Sequence, residues 1–342
     1  MTRKIKLFVS IVALLVMITP ISVSAHENAG YSHDSTVKTH NPNWLTSIKD
    51  DTLVSQISWP GTHDTMAFYG GDAVQTQTLS LEGQLESGVR VLDIRCRHIE
   101  DIFAIHHGPI FQNTFFGDVL NITKKFLADH PGETVLMRVK EEYSPEKNTR
   151  TFEETFRDYY WKDWNASFWK PTSDNPRLGD IRGKIVVLQD FSASAKYGIY
   201  YDSFSIQDNY VLNTNWDLYD KWTKIKEHLD KANNGDTNAK FMNYLSGSTG
   251  SFPYFVASGH SSPQTDAPRL MTGRTTPGWK DSWPDFPRVN CFIGICSIAF
   301  EGTNVLTYER LDNYKRVGVI MADFPGPGLI ERVIARNNGL KK

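Results

Sequence analysis

The stretch Ser58-Trp59-Pro60-Gly61-Thr62-His63-Asp64 sets an imidazole beside a carboxylate directly after a Pro-Gly pair. Alone, it reads as a turn carrying a titratable group. Its meaning depends on what else the chain aims at the same place. The other candidates are Asp93-Ile94-Arg95, His106-His107-Gly108, Lys140 and Asp323. Two histidines, an arginine and several carboxylates suit phosphoryl transfer without a metal. One imidazole takes a proton from a nucleophilic hydroxyl, and the other gives one to the leaving oxygen. The planar fork of arginine matches phosphate oxygens. A carboxylate fixes the tautomer of each imidazole and raises its basicity. Ester hydrolysis would use similar groups, but no Gly-x-Ser-x-Gly elbow supplies a serine. No Cys/His cluster has zinc spacing.

These groups need elements to position them. Short apolar runs at 53–58, 89–95, 102–107, 134–140, 184–190 and 317–323 read as strands. Residues 79–88 and 116–132 read as amphipathic helices, the second stopped by Pro131-Gly132. Strand and helix in alternation predict parallel strands with crossovers. A closed barrel fits the size, and an open doubly wound sheet is the alternative. No Gly-x-Gly-x-x-Gly follows a strand, so a dinucleotide fold lacks its fingerprint. Alternate strand residues share a face. Val89, Val91, Asp93 and Arg95 fall on one face, as do Leu136, Arg138 and Lys140, and Val319, Met321 and Asp323. Phe103, Ile105 and His107 share another, with His106 opposite. Each strand turns polar toward its C-terminal end, and in a parallel barrel those ends meet at one mouth. His63 and Asp64 join them if 53–58 is a strand.

Residues 1–25 read as a secretory signal peptide. They have a basic head (Arg3, Lys4, Lys6), an apolar run from Leu7, and small residues before a cut after Ala25. One catalytic barrel would then occupy 26–342, exported and soluble. The full chain of 342 residues has a formal net charge of -2, and removing those three cations gives -5. No basic block tracks a phosphate backbone, which argues against nucleic acid as a partner. Nor would bulk charge draw the protein onto an anionic membrane. The three cysteines, Cys96, Cys291 and Cys296, exclude a fully paired framework. A Cys291–Cys296 bridge is open on sequence grounds. Residues 258–290, rich in Pro, Gly, Ser and Thr, read as one long loop excursion.

The ordered motifs resemble the bacterial phosphatidylinositol-specific phospholipases C. They are Ile57 to Asp64, Gly88 to Arg95, His106-His107-Gly108-Pro109, Gly132 to Met137, Lys140-Glu141-Glu142-Tyr143, Gly183 to Leu188 and the terminal Asp323. The resemblance covers most of the chain beyond the leader and is looser in the last third. It implies a distorted (β/α) barrel of the TIM type, acting without cofactor or metal as a monomer. It implies cleavage of phosphatidylinositol, and commonly of glycosyl-phosphatidylinositol anchors. By the same likeness His63 looks like the general base, His107 the general acid and Arg95 the phosphate-binding arginine. Asp323 looks like the partner of His63, Asp64 the support of the acid, and Asp93 the carboxylate beside the arginine. Lys140, Asp208 and Tyr210 match inositol-contacting positions.

One departure stands out. Some members carry an inositol-contacting arginine just after the strand equivalent to 184–188. Here the residues are Gln189 and Asp190. Phe252, Trp279 and Trp283 lie in loop-like sequence and are the expected contacts for a transient membrane surface encounter. Together with Tyr254 and Phe255, they also support a rival reading, a non-catalytic sugar- or lipid-binding protein. A second rival is a metal-dependent glycerophosphodiester hydrolase, which needs clustered acidic ligands where Arg95 stands.

Overall fold

A computed structural model describes residues 29–342; the leader at 1–25 lies outside them. The strands, in chain order, begin with β1 (Trp59–Thr62), β2 (Val91–Ile99), β3 (Ile102–His107), β4 (Ile110–Phe115) and β5 (Val135–Glu141). Next come β6 (Ile185–Asp190), β7 (Gly198–Tyr200), β8 (Ser205–Gln207), β9 (Val211–Leu212) and β10 (Phe241–Tyr244). The last are β11 (Ser248–Thr249), β12 (Met271–Thr275), β13 (Arg288–Phe292), β14 (Ile295–Ala299) and β15 (Val319–Ala322).

The main sheet runs β7-β6-β5-β2-β1-β15-β10-β8, and every neighbouring pair along it is parallel. This is the cyclic order of a (β/α) barrel, with hydrogen bonding broken between β7 and β8. The chain crosses that seam through a single 3-10 turn, Tyr201–Ser203, too short for a crossover helix. The fold is therefore an α/β barrel of the TIM type, distorted and open at one seam.

The interior holds Trp59, Val91, Leu136, Val186, Leu188, Met242, Val319 and Met321. Leu92, Ile94, Val135, Met137 and Val187 pack outward instead, against the helices Leu81–Ser87 and Phe116–Asp129. The alternation read from sequence thus puts Asp93, Arg95, Arg138, Lys140 and Asp323 on the inner face. Gly61 gives the neighbouring strands room there, since a Cβ would meet Met321 Sδ at 2.5 Å and Val91 Cβ at 3.0 Å.

Three sequence expectations are corrected. Residues 53–58 are not a strand. Val54–Gln56 form a 3-10 turn, and Val54 and Ile57 belong to the interior cluster at the N-terminal end of the barrel. The strand that carries His63 is β1, the segment that looked like a turn. Pro60 fits inside it because β1 pairs with β2 only from Gly61 onward. Its carbonyl still accepts the Arg90 amide at 2.9 Å. Second, β3 is antiparallel to β2, not a parallel barrel strand. Only Glu100 and Asp101 separate the two, both at positive φ, the geometry of a two-residue hairpin turn. His107 therefore reaches the mouth by returning toward it. Third, 258–290 is not all loop. Strand β12 and the start of β13 fall within it and form an antiparallel sheet in the order β12-β14-β13. Its strands carry Arg and Thr without clean alternation, which hid them. The Cys291–Cys296 disulfide is formed and Cys96 is buried and free.

Candidate active site

The C-terminal ends of β1, β2, β5 and β15 open into a cavity of about 240 Å³. His63, Arg95, His107, Arg138, Lys140, Asp208, Tyr210 and Asp323 line it. Asp64 and Asp93 lie fully buried behind that lining. The structure thus brings all nine residues proposed for chemistry and headgroup contact to one place.

His63 leaves the end of β1 with its backbone amide bonded to the Ala322 carbonyl. Its Nδ1 lies 2.7 Å from Asp323 Oδ1 and its Nε2 2.7 Å from an Arg95 Nη. A guanidinium only donates. Nε2 must therefore be bare, and Nδ1 carries the proton that it donates to Asp323. Enclosure, and then the nearby Arg95 charge, hold the His63 pKa well below the usual histidine range. Burial and the neighbouring Asp64 push Asp323 upward.

Asp93 is the hub beneath the guanidinium. Its Oδ2 accepts from Arg95 Nε and Nη at 3.2 and 3.1 Å and from the Asp64 amide at 3.0 Å. Its Oδ1 accepts from Arg138 at 3.0 Å. Burial would raise the Asp93 pKa, but Arg95 and Arg138 outweigh it and hold the carboxyl ionised. Asp64 turns sharply after the strand, with φ of 38°. Aspartate tolerates this left-handed region better than most residues. Burial lifts its pKa to about 6 against the pull of Arg95 and His107.

His107 sits across the cavity. Its Nδ1 donates to the Val74 carbonyl at 2.8 Å, with Asp64 Oδ2 farther away at 3.3 Å. The backbone of the β1–β2 connection therefore sets its tautomer first, and Asp64 acts second. Nε2 is left as the nitrogen available to a substrate. His106 lies buried beside Phe111 and is not part of the cavity wall.

Sequence reasoning placed Arg138 on the inner face without its role, and it missed what Asp190, Glu142, Lys221 and Val74 do. Arg138 bonds Asp190 through Nε and Nη at 2.9 and 2.7 Å, donates to Tyr244 at 3.2 Å, and lies over the Tyr201 ring. Asp190, the apparent departure from the family pattern, holds this second guanidinium in the cavity wall. The pairing follows from the register of β5 on β6, which no single sequence displays. Glu142 accepts from Lys140 at 2.8 Å and from the Gly108 amide at 2.9 Å, so it ties Lys140 to the His107 turn. Lys221, from the helix Leu218–Asn234, is buried and bonded to Gln207. Burial pushes its pKa down to about 7. Val74 offered no side-chain signal at all.

The rim candidates separate. Phe252 and Trp279 are exposed, at 47% and 40%. Trp283 is half-buried: it stacks between Trp279 and Phe286 and rests on the core. Tyr254 and Phe255 are buried. Among the described residues, no group of three His, Cys, Asp or Glu side chains is placed to hold a metal ion.

A parallel barrel with two tautomer-fixed imidazoles around a guanidinium fits a barrel enzyme that cleaves phosphodiesters. The model of the phosphatidylinositol-specific phospholipase C X domain matches residues 62–190. A 1-phosphatidylinositol phosphodiesterase of Staphylococcus aureus is 30% identical over 298 residues, covering 78% of this chain and 90% of that protein. Its Listeria monocytogenes counterpart is 33% identical over 227 residues, covering 61% and 69%. The solved L. monocytogenes phosphatidylinositol-specific phospholipase C superposes with a TM-score of 0.63 at 25% identity, over 88% of this chain and all of that one. The solved S. aureus structure gives 0.66 at 24% identity, over 89% and 100%, and speaks to the fold alone. The chain belongs to the bacterial phosphatidylinositol-specific phospholipase C family, and it is an enzyme of the phospholipase C class.

Proposed function

We propose that this enzyme cleaves phosphatidylinositol to diacylglycerol and inositol 1,2-cyclic phosphate by intramolecular transfer. The single observation that carries the reading is the His63 ring, fixed at Nδ1 by Asp323 with a bare Nε2 facing Arg95. The arriving phosphate draws the Arg95 fork onto its oxygens and frees Nε2. His63 then takes the proton of the inositol 2-hydroxyl, and that oxygen attacks the adjacent phosphorus. The bond from phosphorus to the diacylglycerol oxygen breaks, and His107 protonates the departing oxygen. An internal hydroxyl has a large effective-molarity advantage over water. Slow hydrolysis to inositol 1-phosphate follows, with the histidines exchanging roles. Asp93 keeps Arg95 aimed, and Lys140, Asp208, Tyr210 and Arg138 face the inositol hydroxyls.

Arg95 supplies the charge that a cation supplies in metal-dependent barrels, which supports a metal-independent reaction. Glycosyl-phosphatidylinositol anchors share the reacting group and are proposed as further substrates. Export rests on the leader read in residues 1–25. The test is diacylglycerol release from phosphatidylinositol and from phosphatidylcholine vesicles in excess chelator. Release from phosphatidylinositol alone is expected. Choline phosphate production, or activity recovered only on adding calcium, overturns the reading.

A further inference from the structure

The hairpin β13–β14 turns through Ile293 and Gly294, with φ of 45° and 78°. Positive φ at both positions is the type I′ geometry, which favours Asn-Gly and strains a β-branched residue. Ile293 is nevertheless 84% exposed, Phe292 74% and Ile295 53%. The Cys291–Cys296 disulfide joins the two strands immediately beneath these residues. From Val289 to Phe300 the sequence has no Asp, Glu, Lys or Arg. The tip conflicts with turn chemistry and with water at once, so neither folding nor solubility accounts for it.

Its place relative to the cavity follows from contacts. The Cys296 amide donates to the Thr276 hydroxyl at 2.9 Å, and the Thr276 amide to the Cys296 carbonyl at 2.9 Å. The segment leading to Trp279 therefore lies against the hairpin neck. Trp279 stacks on Trp283 at 5.8 Å, and Trp283 contacts Trp216 at 5.4 Å. Trp216 and Phe252 line a second cavity that shares Ser248 with the active site. Trp279, Trp283 and Trp216 thus lie between the hairpin neck and the cavity that adjoins the mouth.

We propose that the Phe292–Ile295 tip is a membrane wedge that enters the lipid bilayer and holds the mouth against it. This rests on the lipid substrate proposed above, but membrane partitioning is measured apart from turnover. A bilayer fits better than a second copy of the chain. Three side chains on a convex turn bury far less than the roughly 1,200–2,000 Å² of a stable protein interface. A fluid apolar layer needs no matching groove. An uncharged tip on a chain of net charge -2 also predicts attachment that salt does not weaken.

Ile293→Asn creates the Asn-Gly pair that the turn favours while removing the apolar side chain. Phe292→Ser/Ile295→Ser removes the other two. Sedimentation with phosphatidylcholine vesicles, with and without phosphatidylinositol, reads partitioning. Ile293→Asn is expected to weaken it about tenfold, and the double variant by more. Turnover on vesicles falls in parallel, hydrolysis of soluble inositol 1,2-cyclic phosphate is unchanged, and Ile293→Asn melts no lower than the parent. Unchanged partitioning in both variants overturns the proposal. So does a parent dimer, seen by analytical ultracentrifugation, that the variants dissolve while still binding vesicles. A parent that partitions but turns over neither substrate overturns the proposed function and leaves the wedge supported.

Discussion

Arg95 lies 2.7 Å from Nε2 of His63, so the guanidinium proposed to bind phosphate covers the nitrogen proposed as the base. Enclosure and this positive neighbour both disfavour the imidazolium. His63 therefore stays neutral through the neutral pH range. The acidic limb of the kcat/KM profile should fall below about 6.5, the ordinary histidine value. Arg95→Met removes one of the two causes, so the limb and the His63 NMR titration should both move to higher pH. A limb that stays in place in Arg95→Met would mean that another group is the base.

Substitution of Arg95 should also separate charge from geometry. Arg95→Lys keeps a cation but loses the fork held by Asp93. Turnover should fall by about a hundredfold, within the usual range for losing one electrostatic donor. Arg95→Ala should fall further. Steady-state kinetics on phosphatidylinositol dispersed in detergent read both, and equal rates for Lys and Arg would remove the fork from the account.

His107 and His106 are neighbours in sequence with opposite surroundings. His107→Asn should lose about 10²–10⁴ in rate on the lipid. It should recover much of that loss on an inositol phosphodiester with a nitrophenol leaving group, which departs without a proton. His63→Asn should not recover. His106→Phe should alter melting and leave turnover near the parent.

The Arg138–Asp190 pair should show a split between binding and rate. Asp190→Ala releases two guanidinium bonds into the cavity wall and should change KM for phosphatidylinositol at little cost in kcat. Arg138→Met also deprives Asp93 of one clamp. Hydrogen bonds between charged groups are worth about 1.5–3 kcal/mol, so kcat should fall by about ten- to a hundredfold.

Stability should depend on a site remote from the cavity. Glu133 accepts from Arg90 Nε at 3.0 Å, from the Leu45 and Thr46 amides at 3.2 and 2.8 Å, and from the Thr46 hydroxyl. Both members of the ion pair are buried. Glu133→Gln leaves the Arg90 charge without its counterion and should cost about 3–5 kcal/mol in urea unfolding, with kcat unchanged in the folded protein.

What the sequence disclosed was local. Val91-Leu92-Asp93-Ile94-Arg95 alternates faces, so one apolar neighbour fixes the direction of each charge, and the inward set follows. Pairings between strands were invisible. Asp190 looked like a lost arginine because its partner lies on β5. Val74 serves through a carbonyl that every residue has. The two-residue gap between Ile99 and Ile102 is too short for a parallel crossover, which the parallel reading of 102–107 left out of account. Phe292 and Ile293 passed unnoticed because exposure cannot be read from a short apolar run.

The most direct test of the central claim is phosphorus NMR during cleavage of phosphatidylinositol vesicles by the intact enzyme. Proton abstraction by His63 from the 2-hydroxyl requires the five-membered cyclic phosphate to appear first, followed slowly by inositol 1-phosphate. Inositol 1-phosphate formed from the outset, with no cyclic signal at any time, would show that water is the nucleophile and contradict the account.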